Sequence, residues 1–348
     1  MAHALSVGGS SDQWFSGGGS REWIRPGSEI PALVLTFTVV SALWATAGTV
    51  STNPAHRRPV MAVEFSPDGA ELVSAGQEGT TKLWRVADGR LLYTLSGDKQ
   101  AMVAAAHAPT TNLLASAGEK TIRLWNSRTG TLSRTLTNRM GSVTSVAFSP
   151  DGETLAAGTS ANRIVLWQIK DGSVRKSWTA HARDVTTLAY SKDGRYLCSG
   201  DYGGTVRLWS TENDSLQASV KGHSKAVSCA RVSPTGDYIA TAGFDDLIRI
   251  WSPPRLSIVR SVRAQSRLVY GLAFSPDGGT LASGGWDDAI KLWSAPSLRL
   301  LSSFKAHRDL VNSVAFAPDG STLASASSDC TVQLRRIPDL SLVRSFGE

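Results

Sequence analysis

The sequence has few cysteines, and they are scattered along it. Cys198, Cys229 and Cys330 are the three cysteines of the 348 residues, and none has CxxC spacing. The sequence therefore predicts neither a disulfide framework nor a zinc site. It also lacks a glycine-rich phosphate loop after a strand, and its Asp-Gly turns lack the dense oxygen ligands that calcium requires. We accordingly expect no metal and no cofactor.

Clustered positive charge is absent as well. The formal net charge is +7, yet no run of four basic residues occurs. A protein that tracks a phosphate backbone usually concentrates its basic residues on one face or along one stripe. The dispersed charge suits acidic partners in general, and we do not expect this chain to bind nucleic acid.

A repeat of about 42 residues organises most of the chain. Its marker is a tryptophan, and successive markers are 41, 42, 42, 42 and 42 residues apart: Trp84, Trp125, Trp167, Trp209, Trp251 and Trp293. One more step of 42 reaches Arg335, where the pattern continues without the tryptophan. A period of this length with four strands per unit is typical of a β-propeller.

Each repeat contains the pattern of a four-stranded antiparallel sheet. Residues 269–293 hold three short alternating apolar runs, separated first by a Ser-Pro-Asp-Gly turn and then by an acidic turn, as tight hairpins require. The sequence thus predicts an all-β fold, a seven-bladed β-propeller of four-stranded antiparallel blades over residues 56–348. The last repeat provides its own outermost strand, at about 341–346, so seven blades need no strand from the N-terminus.

The N-terminal tail has a different composition. Residues 1–29 are rich in glycine and serine and predict a flexible lead, residues 30–50 form an apolar segment without a charge, and 51–55 read as a linker. The apolar segment is long enough to be a signal or a membrane anchor, which favours an exported or membrane-anchored protein and leaves a cytoplasmic one as the alternative. An additional β-strand on the propeller, or an unstructured tail, would also fit this segment.

These repeats resemble the WD40 family over about 290 residues, through their period, their Phe-Ser-Pro-Asp-Gly turns and strands that end in Leu-Trp. The resemblance implies a buried structural tetrad of His, Ser or Thr, Asp and Trp in each blade. Blade 5 matches it fully, with His223, Thr241, Asp245 and Trp251, and blade 7 has His307, Ser325 and Asp329 but ends in Arg335. Blade 4 has Gly203 at the acidic position, and the family's Trp-Asp dipeptide is absent throughout. Because the set recurs in successive units, we interpret it as structural and expect no catalytic triad.

The resemblance also implies which residues surround the central opening on the top face. Carried over to this sequence, the implied partner-binding residues are aromatic or aliphatic: Tyr202, Phe244, Trp286, Tyr270, Leu268, Leu310 and Met61. Three successive aromatic residues at loop tips favour an interaction site, because contiguous exposed apolar area marks such sites. The alternative is that the rings fold down over the blade ends as packing.

We therefore expect a non-enzymatic scaffold, a monomeric propeller that binds a protein or peptide through its top face. Two alternatives come from other classes. One is an enzyme with its active site in the central channel, for which Asp184 is the titratable group near the channel mouth. The other is a membrane-tethered sensory or scaffolding ectodomain, with membrane association through residues 30–50.

Overall fold

The chain folds into seven four-stranded sheets. The computed structural model describes residues 54–96, 101–265 and 267–347, and these contain 28 strands. Consecutive strands of each sheet pair antiparallel, for example β1 (Val60–Phe65) with β2 (Glu71–Gly76). The predicted seven-bladed β-propeller of four-stranded antiparallel blades is confirmed.

The strands follow each other in blade order, and within a blade we call them a, b, c and d from the channel outward. Blades 1 to 4 contain β1 (Val60–Phe65), β2 (Glu71–Gly76), β3 (Thr80–Arg85), β4 (Leu91–Ser96), β5 (Ala104–His107), β6 (Leu113–Ala117), β7 (Thr121–Asn126), β8 (Thr131–Thr137), β9 (Val143–Phe148), β10 (Thr154–Thr159), β11 (Arg163–Gln168), β12 (Val174–Thr179), β13 (Val185–Tyr190), β14 (Tyr196–Asp201), β15 (Thr205–Ser210) and β16 (Ser215–Lys221). Blades 5 to 7 contain β17 (Val227–Val232), β18 (Ile239–Gly243), β19 (Leu247–Ser252), β20 (Ser257–Arg263), β21 (Val269–Phe274), β22 (Thr280–Gly285), β23 (Ala289–Ser294), β24 (Arg299–Lys305), β25 (Val311–Phe316), β26 (Thr322–Ser327), β27 (Val332–Arg336) and β28 (Leu342–Phe346).

The Ser-Pro-Asp-Gly sequences form the turns between strands a and b. In blade 1 the N–H of Gly69 donates to the carbonyl of Ser66 at 2.9 Å, and the Ser66 hydroxyl donates to the Asp68 carboxylate at 2.6 Å. Gly69 has φ of +72°, a value that glycine adopts without steric cost. The turn chemistry in the sequence thus fixes where strand a ends and strand b begins.

Apolar packing lies between the blades. Seven clusters of buried residues are present, one for each pair of neighbouring blades. In the cluster between blades 7 and 1, Trp84 packs with Phe346 and with Ala324 of strand b. Small strand-b residues such as Ala324 allow two sheets to approach closely, as wedge-shaped blades around an axis require.

A β-bulge near the start of strand a links several blades to their next neighbour. Six of the seven a strands carry this bulge directly after their first residue, and a bulge re-aims the side chain of the extra residue. Thr186 donates to the carbonyl of Val227 at 2.5 Å, and Ser228 repeats this bond to Val269. Asn312 donates to the carbonyl of Val60 at 2.9 Å and so joins the last blade to the first.

The last blade is completed by its own outermost strand, as predicted, because β28 pairs with β27. Residues 1–53 lie outside the described residues, and with them the predictions for 1–29, 30–50 and most of the linker 51–55. Ala55, at the end of that linker, is fully buried in the cluster between blades 7 and 1. Within the part of the chain that the structure describes, no helix is long and apolar enough to cross a membrane.

Closure of the propeller between blades 7 and 1 predicts a large loss of stability in Phe346→Ala. Phe346 is 1 % exposed, and its ring centroid lies 5.8 Å from that of Trp84 in blade 1. Truncating such a buried ring is expected to lower the free energy of unfolding by about 3–5 kcal/mol, measured by chemical denaturation. Leu342→Ala on the same strand is the control, since Leu342 is 53 % exposed and should change stability by less than about 0.5 kcal/mol. Equal small effects of both variants would contradict closure through this contact.

Candidate interaction surface

The top face consists of the turns between strands b and c together with the segments that lead into strand a. One backbone hydrogen bond joins these two parts in six blades. In blades 4, 5 and 6 the N–H groups of Tyr202, Phe244 and Trp286 donate at 2.9 Å to the carbonyls of Asp184, Ala226 and Leu268. Because the bond fixes the backbone of each turn tip against the entering segment, the side chains of both segments share one rim.

The three predicted aromatic residues lie on this rim in adjacent blades. Tyr202 is 39 % exposed, whereas Phe244 and Trp286 are half-buried. The Arg267 guanidinium lies 5.9 Å from the centroid of the Trp286 ring, within cation–π range. Phe244 meets Tyr270 edge-on, with ring centroids 5.7 Å apart. The rings therefore combine an outward apolar surface with packing against the blade ends.

Two of the seven predicted partner-binding residues are not exposed. Tyr270 is 8 % exposed and Leu310 is 5 % exposed, while Leu268 and Met61 are half-buried. Tyr270 and Leu310 thus present little surface in this structure, and their role in partner binding stays a prediction. Tyr270 is the bulged residue of its strand a and lines the channel, where Phe244 contacts it. The burial of Leu310 removes its apolar area from water.

A central cavity of about 590 Å³ lies below the rim and is lined by the a strands of all seven blades. At the penultimate residue of strand a, five blades carry alanine: Ala106, Ala147, Ala189, Ala273 and Ala315. The other two carry Glu64 and Arg231, and His107 ends strand a of blade 2. The sequence reasoning missed these channel residues, although a departure from a repeated alanine is the signal that identifies them.

Burial controls the ionisation of the channel residues. Desolvation raises the pKa of Glu64 to about 7, with the positive charge of Arg231 opposing the shift. Desolvation lowers the pKa of His107 to about 4, and its Nε2 has no hydrogen-bond partner among the described residues. At neutral pH His107 is thus uncharged, and Glu64 keeps its proton to a higher pH than an exposed glutamate does.

The predicted tetrads are present behind the rim. In blade 5, His223 contacts Asp245 through Nδ1 and Thr241 through Nε2, both at 2.8 Å, and the Trp251 indole donates to Thr241 at 2.8 Å. In blade 7, His307 contacts Ser325 at 2.7 Å and Asp329 at 3.1 Å. The hydroxyls are fully buried and bonded to the histidine ring, so they are held as structural links and are inaccessible to a substrate.

Blade 4 fills its acidic position from a different residue. Gly203 stands where the resemblance implies the acid, and the Asp201 carboxylate lies 3.2 Å from Nδ1 of His181 instead. Asp201 ends strand b, where blade 5 has Gly243, and a Cβ placed on Gly243 would lie 2.3 Å from the His223 ring nitrogen. A side chain at this position therefore points straight at the histidine. Burial alone would raise the pKa of Asp201, but His181 and the N–H of Thr205 outweigh it and lower that pKa.

Blades 6 and 7 each carry a different residue at one position of the tetrad. Gln265 replaces histidine in blade 6 and donates to Ser283 at 3.4 Å. Arg335 replaces tryptophan in blade 7, where it is 6 % exposed and donates to the carbonyl of Leu340 at 2.8 Å. Its guanidinium lies 4.4 Å from the Phe304 ring centroid. No three His, Cys, Asp or Glu residues of the described ranges are placed to hold a metal ion.

Comparison with known families gives two matches. A family model described as IFT122 first beta-propeller matches residues 38–252, more than half of the chain. The WD domain, G-beta repeat matches residues 256–294 and 298–335, each running from strand d of one blade to strand c of the next. No curated protein matches the chain.

Substitution of Asp201, the acidic residue of the blade 4 tetrad, tests whether the tetrad stabilises the fold. Asp201→Ala leaves His181 buried without its charged neighbour, and we expect the free energy of unfolding to fall by about 1–3 kcal/mol. Asp237→Ala, at an exposed turn of blade 5, is the control and should be close to neutral. Denaturant titration measures both, and unchanged stability of Asp201→Ala would show that blade 4 does not depend on this carboxylate.

The raised pKa of Glu64 predicts a pH-dependent stability. Between pH 4.5, the usual pKa of glutamate, and about pH 7, Glu64 has lost its proton in the unfolded state and retains it in the folded state. The contribution of Glu64 to the free energy of unfolding therefore declines as pH rises. Glu64→Gln should therefore be more stable than the wild type at pH 8 by about 2 kcal/mol, allowing for water in the channel. The difference should disappear below about pH 4.5. Thermal unfolding across this range measures it, and a pH-independent difference contradicts the assignment.

Proposed function

The chain belongs to the family of the IFT122 first beta-propeller and carries WD40 repeats, and from this premise we propose that it is a non-enzymatic interaction platform. WD40 propellers are typical protein-interaction scaffolds. We propose that this one binds a peptide segment of a partner protein on the top of blades 4 to 6.

The observation that carries the proposal is the row of aromatic residues at three consecutive turn tips. Tyr202, Phe244 and Trp286 occupy the same position in blades 4, 5 and 6, and the same backbone hydrogen bond holds each of them. Tyrosine and tryptophan are the residues most enriched at binding hot spots. A partner that covers the row would remove this apolar area from water.

The closed ring supports a binding role because it orders the surface beforehand. Interblade bonds such as Thr186 to Val227 and Asn312 to Val60 fix the a strands, and the tetrads hold the turn tips. A surface that is already ordered loses little conformational entropy when a partner binds, so more of the contact energy appears as affinity.

A second candidate function is favoured by the channel. Glu64, His107 and Arg231 line one cavity, and a carboxyl with a pKa near 7 suits proton transfer at neutral pH. Asp184 stands at the top rim, where burial raises its pKa. An enzyme with its active site here would lose turnover in Glu64→Gln while retaining its fold. Hydrolase or lyase turnover that this variant abolishes would favour the channel over the platform.

Trp286→Ala and Phe244→Ala test the platform directly. Random peptides displayed on phage are selected on the full chain, and the dissociation constants of the selected peptides are then measured by fluorescence anisotropy. Each substitution is expected to weaken binding by roughly 2 kcal/mol, about thirtyfold in Kd.

Leu300→Ala provides the matched control. Leu300 is 48 % exposed on the outermost strand of blade 6, so its truncation removes exposed apolar area away from the proposed site. Circular dichroism confirms that the variants are folded. Selected peptides whose affinity survives both Trp286→Ala and Phe244→Ala, or a selection that yields no binder, would refute the proposal.

A further inference from the structure

Three basic residues accompany the aromatic row. Arg183, Lys225 and Arg267 each stand two residues before strand a in blades 4, 5 and 6, and all three are exposed. We call them the basic arc. Blade 7 has Asp309 at the same position, so the run of positive charge covers the same three blades as the aromatic row.

The backbone bonds of the rim place each basic residue beside an aromatic one. Tyr202, Phe244 and Trp286 are bonded through their N–H groups to Asp184, Ala226 and Leu268, which directly follow the three basic residues in the sequence. In blade 6 the proximity is direct, since the Arg267 guanidinium lies 5.9 Å from the Trp286 ring centroid. The rim therefore presents an aromatic side chain and a cation in each of three neighbouring blades.

Four carboxylates in the turns between strands b and c of blades 5 and 6 are paired with other cations. Asp245 pairs with Arg249 at 3.0 Å and Asp246 with Arg263 at 3.2 Å. Asp287 pairs with Lys291 at 3.0 Å and Asp288 with Lys305 at 3.2 Å. Among the described residues, none of the three cations of the basic arc has an ion-pair partner within 4.0 Å, although Asp184 lies close enough to Arg183 to feel its charge.

We propose that the partner segment is an acidic peptide whose carboxylates contact the basic arc and whose aromatic or aliphatic side chains pack on the aromatic row. The proposal rests on the proposed function, since it specifies the partner of the same site. Complementary charge speeds association and selects among partners, while the apolar contacts supply most of the affinity.

A single-stranded nucleic acid is the competing ligand, because stacking rings and cations also suit it. The spacing of the charges favours the peptide. The arc offers one cation per blade, and the Asp184 and Asp309 carboxylates lie at the same level of the rim. A phosphate backbone carries one charge per nucleotide and requires a denser track of cations, whereas a peptide can place its carboxylates only where a cation stands.

The test reverses the arc in the full chain and uses the phage-selected peptides as probes. The test variant combines Arg183→Glu, Lys225→Glu and Arg267→Glu. The control variant combines Arg255→Glu, Arg260→Glu and Arg299→Glu, three exposed arginines in and next to the outer strands of blades 5 and 6. Both variants change the net charge equally, so a difference between them reports the position of the charge. Thermal unfolding verifies that both variants are folded. If a triple variant does not fold, the three single charge reversals are measured in its place.

We expect the peptides selected on the wild type to carry net negative charge together with aromatic or aliphatic residues. Reversal of the arc should weaken their binding by at least about tenfold, and rising salt should weaken it as well, whereas the control variant should bind as the wild type does. Selected peptides that are neutral or basic, or that bind the reversed arc unchanged, overturn the inference.

The remaining outcomes separate the inference from the function it rests on. Peptides that bind the reversed arc unchanged but bind Trp286→Ala more weakly support the interaction platform and refute the acidic partner. Peptides that bind both Trp286→Ala and Phe244→Ala as tightly as the wild type refute both proposals. A single-stranded oligonucleotide is the last probe. If it binds more tightly than every selected peptide and its binding depends on the basic arc, the ligand is a nucleic acid and the inference of an acidic peptide is overturned.

Discussion

One type of backbone hydrogen bond, repeated in six blades, fixes the backbone of the top face of the propeller. It runs from the tip of the turn between strands b and c to the carbonyl that precedes strand a, at 2.8–2.9 Å in six blades. Behind it, histidine and an acidic residue tie the same two segments together in blades 1, 4, 5 and 7. Since the bond uses only the backbone, the side chain at each tip is free to differ between blades. Binding specificity can therefore vary while the ring stays constant.

The repeat also separates the residues that hold the fold from those that distinguish this chain. Small strand-b residues and the tryptophans pack between blades, and bulged residues such as Thr186 and Ser228 bond to the next blade. Besides the tetrad substitutions, departures from the pattern lie in the channel and on the rim. Glu64 and Arg231 interrupt a ring of alanines, and Tyr270 replaces a short polar donor at the bulge. Residues that a repeat does not require are the ones most open to a function of their own.

Periodic features could be predicted from the sequence, and local exceptions could not. The spacing of the tryptophans and the Pro-Asp-Gly turns were enough for seven blades, and the resemblance to WD40 repeats implied the tetrad of His223 and Asp245. The Asp201 carboxylate was missed because it reaches His181 from strand b, a route visible only once the strand positions its Cβ. The burial of Tyr270 and Leu310 was missed because a linear pattern places a residue on a rim without saying whether its side chain turns inward.

Amide hydrogen exchange of the full chain, measured with and without a selected peptide, tests the account most directly. The amide hydrogens in the backbone hydrogen bonds at the turn tips of blades 4 to 6 should exchange more slowly when the peptide is bound. The bound peptide covers the rim, so these hydrogen bonds open less often. Protection is expected around Tyr202, Phe244 and Trp286, with no change in the outer strands β20 and β24. Protection confined to the outer strands or to the opposite face of the ring would contradict the account.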